Sequence, residues 1–545
     1  MSKNPQNDIP SKGIAGLRQH YREDALSGFL VFLLALPLSL GIAGASDFPP
    51  IMGLITAMIG GIVVCVLAGS PLTIKGPAAG LIVIVAGAVS EFGGTDPAIG
   101  WKMTLGAIMV AGIVQILFGF LRIGTIADLF PLSTIQGMLT AIGIIIFSKQ
   151  IHIILGVTPV MSDGRPMIAP PDLVMALPDT IQNIDVHTAI VGGLSLVVVF
   201  LWPRIKHVWL SKIPAPIMVL AVAIPTAKWL ELDSERFIHF EHNLTEILAI
   251  NVDFGGMQQP LLFTKYVLMF ALVGSLESLL TVKATDMLDP LQRKSNANKD
   301  LMAVGAGNTI SAVLGGLPMI SEVARSSANV SNGAKTRWAN GFHGIFMLLF
   351  LLLDVRFNNL IPIPALAAML IGVGYRLASP RSFGEMAKVG PEQLVVFFIT
   401  VLVTLATDLL LGIGVGLVAK LITQLLLGAP LGAMFRAHII VEGREIRVAG
   451  AAVFSNWLGI KRILNVMKPS EQVVVNLEHC NLVDYTVIDN LHHIKRDFQI
   501  AGGDLKVVGL EELDYTGSHN HKQATRNKPK KQRQTLHQAR QQIMK

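Results

Sequence analysis

Apolar runs of about twenty residues recur from Leu26 to about Leu427, separated by short stretches rich in Gly, Pro or charge. Gly28 to Ala45, Met103 to Leu121 and Leu394 to Leu411 are each long enough to cross a hydrocarbon layer roughly 30 Å thick. The pattern predicts about fourteen membrane segments, near 26–46, 50–69, 73–90, 103–121, 131–150, 187–203, 213–228, 262–281, 302–316, 319–332, 340–353, 358–374, 392–410 and 412–427. An even number places both ends of the chain on one side. After the last segment the period changes. Ile439 to Ala449 reads as strands, Gln472 to Leu477 as a buried strand, Thr486 to Phe498 as a helix and Leu505 to Gly509 as another strand, which predicts a small α/β domain. The predicted organisation is a polar arm over 1–25, a membrane domain over 26–428, a soluble α/β domain over 432–515 and a tail over 516–545. The fold class is therefore an all-α polytopic membrane protein followed by a small α/β domain.

Two segments depart from the pattern of a continuous span. Ser70 to Gly80 carries Pro71, Gly76, Pro77 and Gly80, and Gly315 to Arg325 carries Gly315, Gly316 and Pro318. They are the third and tenth segments, seven apart, and an odd separation makes the two halves of the domain inverted. Short Gly/Pro-interrupted segments at matching positions of inverted halves point to a transporter site near the midplane, where half-helix N-termini face one another.

Composition supports a membrane protein and removes one false lead. The 545 residues are 52% hydrophobic and only 15% charged, with mean hydropathy +0.56, against about 25% charged in soluble domains. The net charge of +7 resembles that of a nucleic-acid binder. From Thr516 onward, however, there are eight basic residues and no acid, and the other 36 basic residues are matched by 37 acidic ones. A Gln/Lys/Arg-rich tail of this kind is a solvated end that can touch anionic lipid, so no nucleic-acid partner is expected. The predicted loops on the side of the N-terminus hold Arg122, Arg204, Lys283, Arg293, Lys335, Arg337 and Arg381. The opposite side holds fewer basic residues and many acids, such as Asp172, Asp179, Glu231, Asp233 and Glu235. The positive-inside rule then makes both termini cytoplasmic. Cys65 lies in an apolar run and Cys480 in the C-terminal region, so no disulfide is expected.

Converging helix N-termini offer unpaired N–H groups and partial positive charge, which suits an anion. The predicted substrate contacts are Ala78, Ala79 and Gly80 from the third segment and Ser321 and Glu322 from the tenth, with Arg325 one turn further adding a fixed positive charge. The eighth segment places Glu277 and Thr281 on one helical face, a carboxylate and a hydroxyl deep in an apolar span. Such a carboxylate either stays protonated or holds a cation, so the pair is the predicted coupling site, with Thr281 and Glu277 as ligands if the ion is Na⁺. His343 is a lone histidine in an apolar segment and reads as a hydrogen-bonded structural residue, and His492 and His493 lack neighbouring ligands. No phosphate loop is visible, so neither an enzyme nor an ATP-driven pump is expected, and no cofactor beyond a coupling Na⁺.

The motifs Ala35 to Gly41, Gly76-Pro-Ala-Ala-Gly80, Ser275-Leu-Glu-Ser-Leu-Leu-Thr281 and Ala324 to Ala334 together resemble the SulP anion permeases, relatives of prestin. The resemblance implies seven plus seven inverted segments. Segments one to four and eight to eleven would form a mobile core, and five to seven and twelve to fourteen a gate, with elevator-type movement in a homodimer. It assigns Glu277 and Thr281 to the cation-ligand positions of Na⁺-coupled bicarbonate members, and Arg325 to the anion-site arginine. Leu38, Ile42 and Ala78 replace polar or aromatic residues of many relatives, while Glu322 and Lys75 are unusual charges beside the site. The C-terminal domain resembles a STAS domain, although its turn, Asp484-Tyr-Thr-Val487, lacks the usual Ser and Gly. The expected function is secondary active transport of a small inorganic anion across a bacterial inner membrane. Bicarbonate is favoured over sulfate, because Glu322 subtracts charge from Arg325 unless Lys75 neutralises it. The alternatives are a sulfate or dicarboxylate symporter, a chloride/bicarbonate exchanger, an uncoupled anion channel or motor-like protein, and a nucleobase permease.

Overall fold

The computed structural model describes residues 10–510 except residue 12 and residues 125–129, 161–166, 168, 206, 208–212, 240–250, 292 and 353–359. The expectation for the tail, 516–545, falls outside the described residues. Every predicted membrane segment has a helical counterpart. These are α1 (Ile14–Ala45), α2 (Ile51–Leu67), α3 (Ile82–Gly93), α4 (Pro97–Phe120), α5 (Leu132–Ile154), α6 (Val186–Leu201), α7 (Ala215–Trp229), α8 (Pro260–Leu288), α9 (Ala297–Val313), α10 (Val323–Ser331), α11 (Trp338–Leu352), α12 (Ile363–Leu377), α13 (Pro391–Ala406) and α14 (Leu409–Leu426). Among the described residues seven spans are long and apolar enough to cross a membrane: α1, α4, α5, α8, α14, α6 with the turn that extends it to Arg204, and α12 with the helical piece that follows it to Val389. α1 begins at Ile14 and continues through a non-helical residue, His20, so the second half of the polar arm is helical.

The chain divides into two compact bodies. The first contains residues 1–127 and 142–377, the second residues 128–141 and 378–545. The division passes through α5, and it leaves α6, α7 and α12 in the first body, whereas the family resemblance groups them with α13 and α14 as a gate. The reason is packing. Phe32, Leu36 and Leu40 of α1 share one core with Val219 and Ala223 of α7 and with Leu366 and Met369 of α12. Elsewhere in this body helices approach through small residues, as membrane interfaces do. A Cβ on Gly61 of α2 would lie 2.5 Å from the backbone nitrogen of Gly344 in α11, so neither position tolerates a side chain without separating the two helices.

In the second body α13 and α14 pack together and precede a four-stranded sheet. Its strands are β3 (His438–Glu442), β4 (Glu445–Ala452), β5 (Gln472–Val483) and β6 (Asp504–Val508), in that spatial order. β3 and β4 are antiparallel, while β4–β5 and β5–β6 are parallel pairs. Parallel neighbours need crossovers, and these are α15 (Trp457–Leu464) and α16 (Tyr485–Ile500). Trp457, Ile460, Ile488 and Leu491 from the helices close a core with Val448, Val475 and Leu477 from the strands.

Candidate functional site

The two broken segments meet as a two-stranded antiparallel ribbon. Its strands are the three-residue pieces β1 (Lys75–Pro77) and β2 (Met319–Ser321), in the register Lys75 with Ser321, Gly76 with Ile320 and Pro77 with Met319. Pro77 and Pro318 lack an N–H and disfavour helix in the residue before them, which is why the chain here is extended. Because the strands oppose one another, the helices that follow leave in opposite directions. Ala78 (φ −89°, ψ 115°) precedes a short 3₁₀ turn that runs into α3, and Glu322 (φ −95°, ψ 122°) precedes α10. The inverted entry of the two half-helices is thus visible in the backbone itself.

The ribbon is held by polar residues of the surrounding helices. Asp300 of α9 accepts from the backbone N–H groups of Gly69 and Ser70 (both 3.1 Å), from Lys75 Nζ (2.9 Å) and from Ser321 Oγ (3.3 Å). Lys75 and Asp300 are both almost wholly buried, so they form a closed ion pair. Lys75 therefore neutralises Asp300 rather than Glu322. Asn340 of α11 accepts from Lys75 N (3.2 Å) and donates to Gly60 O (2.8 Å). Asn308 of α9 accepts from Met319 N (2.6 Å), and Ser326 Oγ accepts from Ile74 N (3.0 Å).

Most of the backbone donors expected to face an anion are already engaged. Ala78 N donates to Pro318 O (3.4 Å), Glu322 N to Ile74 O (2.9 Å), and Ser321 N to Ser278 Oγ (3.1 Å). Ala79 N donates to Oε1 of Glu322 (3.4 Å), so a carboxylate of the chain sits at the start of the α3 half-helix where an anion would. Among the described residues a cationic donor without a partner here is a side chain. Arg325 of α10 is 1% exposed, and Nε, Nη1 and Nη2 have no hydrogen-bond partner among the described residues. Its Nη1 lies where a Cβ on Gly76 would be, so glycine is what admits the guanidinium beside the ribbon.

Glu277 of α8 lies against Gly80, at the start of the α3 half-helix. A Cβ on Gly80 would collide with its carboxylate, and its Oε1 is buried without a hydrogen-bond partner among the described residues. Thr281 follows one turn later, also buried, with its carbonyl accepting from Thr285. A carboxylate with an unmet oxygen fits a proton or Na⁺, and Glu277 and Thr281 are the residues that would hold it. Glu322 is within Coulombic reach of Glu277, Arg325 and Arg376 of α12, so one carboxylate bears on both the predicted coupling and anion residues.

Asp300, Ser278, Asn340 and Arg376 were not among the predicted site residues. Asp300 lies just before the apolar run expected at 302, and only the observed start of α9 at Ala297 brings it into the helix. Ser278 was legible, being inside the eighth-segment motif one residue after Glu277. His343 reverses its expectation. It is wholly buried, and neither ring nitrogen has a hydrogen-bond partner among the described residues.

Two half-helices opposed across a ribbon, with a buried arginine beside it, are an arrangement that suits a transporter of anions. The chain belongs to the sulfate permease family, whose model matches residues 21–400. It is similar to a putative sulfate transporter, YvdB, of Bacillus subtilis, at 25% identity over 90% of this chain and 92% of that one. It is also similar to the bicarbonate transporter BicA of Picosynechococcus, at 24% identity over 74% of this chain and 70% of that one. The solved structure of SLC26A9 shares the fold, with a TM-score of 0.67 at 14% identity over 97% of this chain and 92% of that one. The chain is thus a multi-pass membrane anion transporter with a STAS-like C-terminal region.

Proposed function

We propose that this protein is a secondary active transporter of bicarbonate, driven by Na⁺ or H⁺ bound at Glu277 and Thr281. The reading rests on Arg325, a buried guanidinium with no hydrogen-bond partner among the described residues, set against Glu322 within Coulombic reach. The local charge open to substrate is small once Lys75 is paired with Asp300, and a buried monoanion needs less compensation than a dianion. The bicarbonate transporter BicA among the similar proteins supports the same choice. Ala78, Ala79, Gly80, Ser321 and Glu322 form the wall of the substrate site, and Arg325 supplies its charge. Transport proceeds by elevator-type movement in a homodimer in the bacterial inner membrane, with both termini cytoplasmic. The transport domain is residues 26–428, and the cytoplasmic domain is 432–515.

Sulfate is the second reading. It is favoured by Arg376, whose charge also acts on Glu322, and by the putative sulfate transporter among the similar proteins. Purified protein in liposomes separates the readings, with bicarbonate, sulfate, chloride and dicarboxylate offered under imposed Na⁺ and H⁺ gradients. Bicarbonate uptake that collapses with one gradient is expected. Sulfate uptake without bicarbonate uptake overturns the substrate assignment, and uptake indifferent to both gradients overturns the coupling.

A further inference from the structure

β3 is an edge strand. β4 flanks one side of it, and among the described residues no strand flanks the other. Its sequence, His438-Ile-Ile-Val-Glu442, sets branched apolar residues between polar ends, whereas edges that stay unpaired are interrupted by a charge, a proline or a bulge. Ile440 is 58% exposed and Val441 45%, and the register with β4 runs unbroken from His438–Ala449 to Glu442–Glu445. The hairpin fixes which backbone groups face outward. Gly443, at φ 63°, and Arg444 form its two-residue loop, so Glu442 and Glu445 close it as a hydrogen-bonded pair. Alternation then turns the N–H and C=O of Ile440 and His438 toward β4, and those of Ile439 and Val441 away from the sheet. The outward groups are therefore symmetric about Ile440.

We infer that the β3 edge is the interface between the STAS-like regions of two copies of this chain, paired antiparallel about a two-fold axis at Ile440. The inference rests on the homodimer of the proposed function and goes beyond it by naming the surface and its register. Ile439 and Val441 meet the partner's Val441 and the partner's Ile439, and each pair exchanges both backbone hydrogen bonds. Ile440 meets the partner's Ile440, and His438 meets the partner's Glu442, at the non-hydrogen-bonded positions where facing side chains lie closest. Glu442 is already held on this face by Arg447 at 3.1 Å, so it presents a fixed acceptor to an imidazole N–H. Sliding the pairing by two residues in either direction sets His438 or Glu442 against Ile440, which buries a polar end on an apolar one. Charge and backbone alternation thus select the same register, and the two four-stranded sheets become one continuous sheet.

Cysteine cross-linking reads both surface and register. Cys65 and Cys480 are buried, so a thiol introduced on the edge is the reactive one. Full-length protein carrying I440C, H438C or E442C is reconstituted into liposomes at low density, oxidised with copper phenanthroline and resolved on non-reducing gels. I440C is expected to link into a dimer at least about tenfold faster than H438C or E442C alone. In those two the equivalent positions lie about 13 Å apart along the paired strands, beyond the roughly 7 Å between Cα atoms that a disulfide spans. Co-expressed H438C and E442C chains are expected to link to each other. V441P removes an outward N–H, which an edge position tolerates, and is expected to slow the linking of I440C at least about tenfold; if that variant misfolds, V441K places a charge on the same edge and makes the same comparison. I440C that links no faster than H438C and E442C alone, or that fails to link in a protein shown by light scattering to be dimeric, overturns the inference and leaves the homodimer standing. Protein that is monomeric in the membrane overturns the homodimer and this interface together.

Discussion

In the proposed function Glu277 and Glu322 divide the work of negative charge around the ribbon. The carboxylate of Glu277 occupies the space a Cβ on Gly80 would take, so Gly80→Ala has to displace it. Uptake is expected to fall by about tenfold or more, as misplacement of an ion ligand by a fraction of its bond length does. A fluorescence-detected size-exclusion profile like that of wild type would show that the loss is not unfolding. Glu277→Gln keeps shape and hydrogen bonding but removes the titratable charge, and it is expected to abolish gradient-driven uptake. Full cation-driven uptake by that variant would remove Glu277 from coupling. In the proposed function Glu322 acts on the substrate instead. At an effective dielectric of about 20, a unit charge about 6 Å from the anion costs roughly 3 kcal/mol per anion charge, and twice that for a dianion. Glu322 is partly exposed, so solvent screens much of this. Glu322→Ala is therefore expected to raise sulfate binding relative to bicarbonate by several-fold, read by competition against labelled bicarbonate. With Lys75 committed to Asp300 at 2.9 Å, an unchanged ratio would mean that Arg376 already cancels Glu322.

At the level of elements, hydropathy made all fourteen segments legible, and Pro77 and Pro318 marked the two that break. It failed where polarity serves packing. α9 carries Asp300, Asn308 and Ser311 into the interior because each bonds to backbone or side chains at the ribbon, so its first turns read as loop. The state of the backbone donors was not legible either. The groups that occupy Ser321 N and Ala79 N lie 43 and 243 residues away in sequence, and no spacing rule connects them. The turn between α1 and α2 shows a further link of this kind. Asp47 sits at φ 57°, and its carboxylate receives Lys149 Nζ of α5 at 3.2 Å, while the same ammonium donates to Ala45 O at 3.1 Å. A cavity of about 320 Å³ adjoins this contact, bounded by Gly44, Asp47, Lys149, His239 and Leu366. If α1 and α2 move against α5 during transport, the pair must open. A partly buried pair of this kind is worth up to about 1 kcal/mol, so Lys149→Ala should raise the open population about two- to fivefold. Gly44→Cys reads this, since a Cβ there meets nothing within 4 Å and both native cysteines are buried. Its labelling by an impermeant thiol reagent should accelerate in the Lys149→Ala background. An unchanged rate would make the pair a static contact.

For the molecule as a whole, the decisive contact of the second body joins its membrane helices to the STAS-like region. Asp484 stands at the N-cap of α16, where a side chain usually caps its own helix, yet it makes no such bond. Its carboxylate turns to the membrane helices instead. Lys420 Nζ of α14 donates to Oδ1 at 2.8 Å, Gln424 Nε2 of α14 to Oδ2 at 3.0 Å, and Gln393 Nε2 of α13 to Oδ1 at 3.5 Å. Lys420 and Asp484 are both buried. This explains in physical terms why the turn departs from the STAS pattern at its Ser and Gly: the aspartate serves as a strut, and the residues after it pack as Tyr485 and Val487. Removing one partner of a buried ion pair strands the other and costs about 3–5 kcal/mol, whereas replacing both with apolar residues of similar size is often neutral. Lys420→Met is therefore expected to loosen the STAS-like region from α14, and Lys420→Met with Asp484→Leu to restore much of the loss. Cys480, four residues before Asp484 on β5, is the reporter. It is buried with Sγ donating to Val448 O at 3.2 Å, and burial pushes its thiol up to about 12, so at neutral pH it is shielded and protonated. Maleimide labelling of Cys480, resolved by mass spectrometry from that of Cys65, is expected to be slow in wild type, at least about tenfold faster in Lys420→Met, and slow again in the double variant. Equal rates in all three would mean that the α/β fold of 432–515 holds Cys480 closed without the strut, and that its attachment to α14 does not depend on this pair.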